Sequence, residues 1–150
     1  MAVWQFDLNF VPAGYRVKRK ANGALVGADL TVAHSLFAQV HLEQYFEPHS
    51  KVSPAWVTFG EADANCVDII TEGSVAEISA RIDTRTNSDQ FCIGLCELAD
   101  RLKCDFLDVA SGSVFKPALG ALYTQMMDSP AWKFALDEQA YLATRTGRRG

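Results

Sequence analysis

Hydrophobic and polar residues alternate in the first segment of the chain. In "VWQFDLNFV", the apolar residues Trp4, Phe6, Leu8 and Phe10 are separated by polar ones. A period of two is typical of a β-strand that has one buried face. A proline and a glycine end this pattern, and residues 15–27 predict a loop or a short irregular hairpin.

The next segment has the spacing of a helix. The pattern predicts a helix from Asp29 to Glu47, with Asp29 as the N-cap and Pro48 as the stop. Its apolar residues recur at helical intervals, as a core-facing stripe requires. This stripe consists of Ala33, Leu36, Phe37 and Val40.

The middle of the chain predicts an antiparallel meander. "AWVTF" has the composition of a short strand, "GEADAN" that of a turn, and "CVDIITEGSVAEISARID" that of two strands around Glu72 and Gly73. Apolar residues occupy one side of these strands, and that side is expected to be buried. The other side is expected to be wet or covered by something polar, because it carries Asp68, Glu77, Ser79, Arg81 and Asp83.

The last third predicts further helices and one strand. "CDFLDVA" reads as a short strand that breaks at a Ser-Gly-Ser turn. Helix starts are expected at Thr86 or Ser88, at Pro117, at Ser129-Pro130 and at Asp137. Because the strongest strand pairings are hairpins, the predicted fold class is α+β. We expect an antiparallel or mixed four- to five-stranded sheet with a central meander, packed against three to four helices.

Length and composition predict a single domain. The chain has 150 residues, of which 49% are hydrophobic and 21% charged, so it is long enough to bury a core and is not of disordered composition. We expect one globular α+β domain over residues 1–144 and a basic C-terminal tail over residues 145–150. The N-terminal segment lacks a basic region before an apolar run, so a cytoplasmic protein without membrane association is expected.

The charge is distributed unevenly along the chain. The formal net charge is −4, but residues 21–144 contain 17 acidic and 7 basic residues, a net charge of −10. An acidic body repels nucleic acid and attracts basic partners. The short "RVKRK" run near the N-terminus is too isolated to reverse this. Nucleic acid is therefore not expected as a partner.

The stretch "FCIGLCELADRLKC" contains three of the four cysteines. On a helix, Cys92 and Cys96 lie one turn apart among apolar residues, and Cys104 begins the next strand. The spacing C-x3-C-x7-C does not match the close pairs of a structural zinc site, and Cys66 is distant in sequence. Core packing is therefore predicted, and neither a metal nor another cofactor is expected.

The remaining candidates for chemistry are weak. His34 and His41 are seven residues apart, too far for joint chelation, and no nucleophile is apparent for either. The charges Arg81, Asp83 and Arg85 of "RIDTR" alternate in sign, which favours ion pairs or an interface patch over catalysis. No catalytic residue is predicted, and the chain is not expected to be an enzyme.

One resemblance adds to this interpretation. The pattern "WVTFGEADANCVDIITEGSVAEISARIDTR", the cysteine helix and "SPAWKFALDEQAYLA" together resemble small bacterial immunity proteins of type VI or polymorphic toxin systems, over residues 53–143. The resemblance implies a protein-binding inhibitor of one cognate toxin domain. Residues 11–52 lie outside it, where a partner-specific insertion is expected.

If the resemblance holds, an acidic surface blocks the active site of the toxin. The predicted contact residues are Glu61, Asp63, Asp68, Glu77, Arg81 and Asp83. A homodimer through an edge strand is compatible with the sequence but not required.

The alternative function is a small enzyme or ligand-binding domain with a pocket between sheet and helices. That pocket would use His41 and the "RIDTR" charges. A deep pocket lined by His41, Arg81 and Asp83 would favour the alternative, and a flat or ridged acidic face would favour the inhibitor.

Overall fold

The computed structural model describes residues 2–25, 29–46 and 50–137. The predicted helix after Asp137, the basic tail, Glu47 and His49 lie outside the described residues. The elements in chain order are β1 (Gln5–Pro12), β2 (Leu30–Thr31), α1 (Val32–Leu42), β3 (Ser50–Ser53), β4 (Trp56–Gly60), β5 (Cys66–Glu72), β6 (Val75–Asp83), α2 (Asp89–Arg101), β7 (Cys104–Asp108), β8 (Val114–Phe115), α3 (Leu119–Met127) and α4 (Pro130–Leu136).

A single antiparallel sheet organises the described chain. Seven strands follow the order β3-β4-β5-β6-β1-β7-β8, and the two-residue β2 pairs beside this path with β6. The predicted α+β class and the β4-β5-β6 meander are confirmed. The sheet is larger than the four to five strands expected, because the N-terminal strand β1 lies between β6 and β7 and joins the meander to the C-terminal strands.

The alternation of the sequence determines which side of the sheet is buried. Leu8 of β1 and Val67 of β5 both pair with Ala80 of β6, so the three side chains share one face, and all three are buried. The helices pack on this inner face and complete the core with it. The opposite, outer face carries the polar members of the same strands.

Helix α2 follows its prediction closely. Ser88 precedes its first residue, as one of the two predicted N-caps, although its hydroxyl does not cap the helix. Cys92 and Cys96 are buried in the core, and the charged residues Glu97 and Asp100 are exposed. Cys104 begins β7, as expected. The cysteine cluster is therefore part of the core.

Helix α1 differs from its prediction in start, length and orientation. Leu30 and Thr31 pair with Ala76 and Val75 in the sheet, so the helix begins after Thr31 and not after Asp29. Thr31 Oγ accepts a hydrogen bond from the backbone N–H of His34, whose Nδ1 accepts one from the N–H of Thr31. The helix ends at Leu42.

The apolar stripe of α1 faces solvent, which corrects the expectation that it faces the core. Leu36, Phe37 and Val40 are 58%, 44% and 64% exposed. The buried side consists of Ser35, Ala38, His41 and Leu42. Small side chains at two of these positions let the helix lie close to the sheet, which leaves the larger apolar residues outside.

Helix α4 starts as predicted, whereas α3 begins at Leu119 and not at Pro117, where its start was expected. Ser129 caps α4 through its hydroxyl, which accepts from the N–H of Trp132, and Pro130 is the first helical residue. Leu122 and Met126 of α3 are buried against α2 and the sheet.

Candidate interaction surfaces and ligand cleft

The outer face of the sheet holds a compact polar network around Asp68. Its carboxylate accepts hydrogen bonds from the Thr58 hydroxyl at 2.5 Å and the Trp56 indole at 3.3 Å. Arg81 Nη2 lies 2.7 Å from Asp68 Oδ2. The Asp68 carboxylate is therefore buried, paired and neutralised within the sheet. It is not available as an acidic contact.

Asp83 is neutralised in the same way by Arg85. Their side chains meet at 2.9 Å, and the guanidinium group of Arg85 also lies 3.9 Å from the centre of the Trp4 ring. Burial alone would raise the pKa of the Asp83 carboxyl, but hydrogen bonds from the Arg85 side chain and backbone outweigh it and lower the pKa. The predicted ion pairing within "RIDTR" is confirmed for this pair, whereas Arg81 pairs with Asp68.

The six predicted contact residues do not form one acidic face. Glu61 and Asp63 are exposed in the turn between β4 and β5, and Glu77 is exposed on β6. Asp68 and Asp83 are buried, which corrects their assignment as contact residues. Each carboxylate is already paired with an arginine, so its negative charge attracts a binding partner only weakly. Arg81 is half-buried in the same network.

An apolar surface on α1 was not anticipated. We name it the α1 stripe: Val32, Leu36, Phe37 and Val40, all of which are exposed on one side of the helix. Scattered apolar residues are common on protein surfaces, but a row of them along one helix face is typical of a binding site.

A cleft of about 630 Å³ lies between the end of α1 and the beginning of α2. His41 lines it, as the alternative function requires. Arg81 and Asp83 are not among its described lining residues, which corrects the picture of a pocket that combines all three. Its walls include Leu42, Tyr45, Phe46 and Phe91 on the apolar side and Asn65 and Ser88 on the polar side.

Asp89 lines this cleft and accepts a hydrogen bond from the Tyr123 hydroxyl, and His41 is a second residue of the cleft that could act as a base. Burial lowers the pKa of its imidazole, and the positive charge of Arg101 lowers it further, against a smaller opposite effect of Glu97. The imidazole is therefore neutral near pH 7. No nucleophile is oriented towards it among the described residues: the Ser88 hydroxyl donates to the carbonyl of Asp83 at 2.8 Å.

The cysteines are not poised for reaction. Burial raises the pKa of Cys92 to about 12 and the pKa of Cys66, Cys96 and Cys104 to about 11. Such thiols stay protonated at neutral pH. In the part of the chain that the structure describes, no three His, Cys, Asp or Glu side chains come together as a possible metal site.

Comparisons with protein-family models, with curated protein sequences and with solved structures found no match for this chain. Among the described helices, none has the length and apolar character needed to cross a membrane.

Sequence patterns missed most residues of the cleft. Ser88 was predicted as a helix start, but no sequence pattern indicated that the neighbouring residues Asn87, Gln90 and Phe91 line a cleft. Gly94 did carry one, because a glycine inside a helix lowers its stability and often has a packing or functional reason.

Proposed function

We propose that this protein binds another protein and blocks it, as immunity proteins do, and that the α1 stripe is the centre of the contact. The observation that carries the proposal is the exposure of Leu36, Phe37 and Val40 on one side of a well-formed helix. An apolar helix face is one of the recurring modes of protein recognition, in which the face inserts into a groove of the partner.

The charge around the stripe indicates the chemistry of the partner. The described part of residues 29–46 contains no lysine or arginine, whereas Asp29 and Glu43 are acidic. Helix α1 itself contains no Asp, Glu, Lys or Arg between Val32 and Leu42. The complementary partner surface is an apolar groove bordered by lysine and arginine side chains.

The exposed carboxylates elsewhere have a different part in this proposal. Glu61, Asp63 and Glu77 are exposed and add to the negative field of the protein, which speeds the encounter with a basic partner. Phe37 is the aromatic residue of the stripe and the proposed anchor, because buried aromatic side chains contribute most of the affinity in typical interfaces.

The experiment is an affinity purification of the tagged full chain from its native host, followed by binding measurements with the protein that is captured. We expect one basic protein domain in a stoichiometric complex, whose own activity the chain abolishes. Phe37→Asp and Val40→Asp are expected to weaken this complex by about 2 kcal/mol or more, roughly thirtyfold.

Leu136→Asp is the matched control, because it places the same charge on an exposed leucine of α4, 77% exposed and outside the stripe. This variant should bind like the original chain. Capture of a partner that binds equally well to Phe37→Asp and Val40→Asp, while both variants remain folded, would contradict the proposed surface. A purified chain that inhibits no captured partner would contradict the function.

A further inference from the structure

The cleft between α1 and α2 has the size of a small-molecule site and largely apolar walls. Its volume of about 630 Å³ is within the range of ligand pockets. Tyr45 and Phe46 come from the turns that follow α1, whereas Phe91 and Leu95 come from the first turns of α2. Side chains from both helices therefore surround an apolar body that is placed in the cleft.

Aromatic rings line the cleft from both sides. The rings of Phe46 and Phe91 meet edge to face, with their centroids 5.8 Å apart. Tyr45 is 57% exposed and also lines the cleft. The face of an aromatic ring is electron-rich, and it attracts organic cations, ammonium groups among them. The aromatic lining therefore suits a cation better than an anion.

Asp89 gives the cleft its charge. The described residues that line the cleft include no lysine or arginine, and the imidazole of His41 is neutral near pH 7 because burial lowers its pKa. Asp89 is exposed. Its Oδ1 accepts a hydrogen bond from the Tyr123 hydroxyl, whereas its Oδ2 has no hydrogen-bond partner among the described residues. The cleft thus offers one accessible negative charge.

The position of Asp89 determines the sign of the potential at this end of the cleft. Asp89 lies in the first turn of α2, whose N-terminal end is positive and by itself favours an anion. That end corresponds to about half of an elementary charge, which is less than the full negative charge of a carboxylate. The balance is therefore negative, and it disfavours an acidic ligand.

Gly94 leaves room in the cleft. It lies inside α2 and lines the cleft, and a Cβ atom at this position would meet nothing within 4 Å. Glycine is unfavourable inside a helix, and a larger residue here would fill space in the cleft. A bulky side chain at this position is therefore a way to block the site.

We propose that this cleft binds a small organic cation, an ammonium ion with an apolar body. The body packs against Phe46, Phe91 and Leu95, and the ammonium group meets the carboxylate of Asp89. This site is separate from the proposed protein contact on the α1 stripe, and neither requires the other.

The test uses three probes with the same apolar body: 3-phenylpropylamine, 3-phenylpropanol and 3-phenylpropionate. Each is titrated into the full ¹⁵N-labelled chain near pH 7, and the amide shifts of Phe91 and Gly94 are followed by NMR. We expect saturable shifts with the amine, with a dissociation constant on the order of millimolar for a molecule of this size. The alcohol should bind about threefold more weakly, and the acid at least about tenfold more weakly.

Two aspartate variants test the role of the charge. Asp89→Asn removes the charge but keeps an oxygen that can accept from the Tyr123 hydroxyl, and it should abolish the preference for the amine over the alcohol. Asp100→Asn is the matched control, because it removes the same charge from an exposed residue of α2 that is not among the lining residues. It should leave the preference unchanged. The preference is a ratio of two affinities in one variant, so a change in stability does not imitate this result.

Two glycine variants test the place of binding. Gly94→Leu fills the cleft and should weaken the amine at least about tenfold, whereas Gly120→Leu makes the same change on α3, away from the cleft, and should change binding less than about twofold. Both substitutions favour the helix, and the ¹⁵N spectrum shows whether each variant is folded. The proposal is overturned if the amine gives no saturable shifts, if the alcohol binds as tightly as the amine, if Asp89→Asn keeps the preference, or if folded Gly94→Leu binds like the original chain.

Discussion

Helices α1 and α2 lie on the same face of the sheet but place their apolar residues on opposite sides. In α2, Cys92, Leu95 and Leu98 are buried, and charged side chains are in solvent. In α1, Leu36 and Val40 are in solvent, and a serine and a histidine are among the buried residues. One helix stabilises the core, and the other presents an apolar surface.

This difference shows that an apolar stripe does not by itself specify which side of a helix is buried. The stripe of α2 is opposite Glu97 and Asp100, and charged residues are rarely buried, so its orientation follows from the sequence. Between Val32 and Leu42 there is no Asp, Glu, Lys or Arg to mark the solvent side. The orientation of α1 is decided instead by β2, which pairs with β6 and fixes the start of the helix.

The largest contrast is expected in thiol reactivity. A cysteine introduced by Val40→Cys lies on the exposed side of α1 and should react with a thiol reagent at about the rate of a free cysteine. The native thiols should react at least about a thousandfold more slowly near pH 8, because they are buried and the pKa of Cys92 is about 12. The labelling rates of the Val40→Cys variant and of the parent chain, measured under the same conditions, give this ratio of reactivities. Rapid labelling of Cys92 or Cys96 in the folded parent would contradict the buried orientation of α2.

The next contrast is in stability. Leu98 of α2 is fully buried, and Leu98→Ala should lower the free energy of unfolding by about 3 kcal/mol, because it removes apolar contacts and leaves a cavity. Leu36→Ala makes the same change on the exposed side of α1 and should cost less than about 0.5 kcal/mol. Urea unfolding of the two variants gives both values. Similar losses in the two variants would show that α1 buries its stripe after all.

The smallest effect concerns the pH dependence of His41 on the buried side of α1. Its pKa is lowered in the folded protein from the ordinary value of 6.5, so the unfolded chain binds more protons just below pH 6.5. Stability is therefore expected to fall as the pH decreases through this range, until the lowered folded pKa is passed. Glu97 and Arg101 of α2 are the charged groups that also act on the ring.

The variant His41→Phe isolates this effect, because it keeps an aromatic ring and removes the titrating group. Its stability should change less between about pH 7 and pH 5 than that of the parent chain, as measured by urea unfolding at each pH. His34→Phe is a poor control, since His34 takes part in the cap of α1. An unchanged slope in His41→Phe would show that other groups cause the pH dependence.

Local patterns predicted the elements that depend on neighbouring residues. The turn at Glu72 and Gly73, the helix start at Ser129 and the burial of Cys92 all follow from short-range rules, and each is confirmed. The pairing of β1 with β7, which brings Leu8 beside Asp108, joins residues far apart in the chain, and no local pattern specifies it.

The candidate sites were predicted less well for the same reason. Asp68 and Asp83 looked like surface carboxylates, because a sequence does not show which arginine will neutralise an acidic side chain. Leu36, Phe37 and Val40 were recognised as part of an apolar stripe, but that stripe was expected on the buried side of the helix. His41 was recognised as partly buried, whereas the cleft beside it arises from the relative position of α1 and α2.

The sequence by itself determined the α+β class, the central meander, the buried cysteines and the acidic character of the body, because these follow from residue type and spacing. Only the tertiary structure decided which side of α1 meets solvent, which carboxylates are paired, and where the cleft opens. These properties depend on the packing of distant segments, and an uncharged helix such as α1 can present either side to a sheet until that packing selects one.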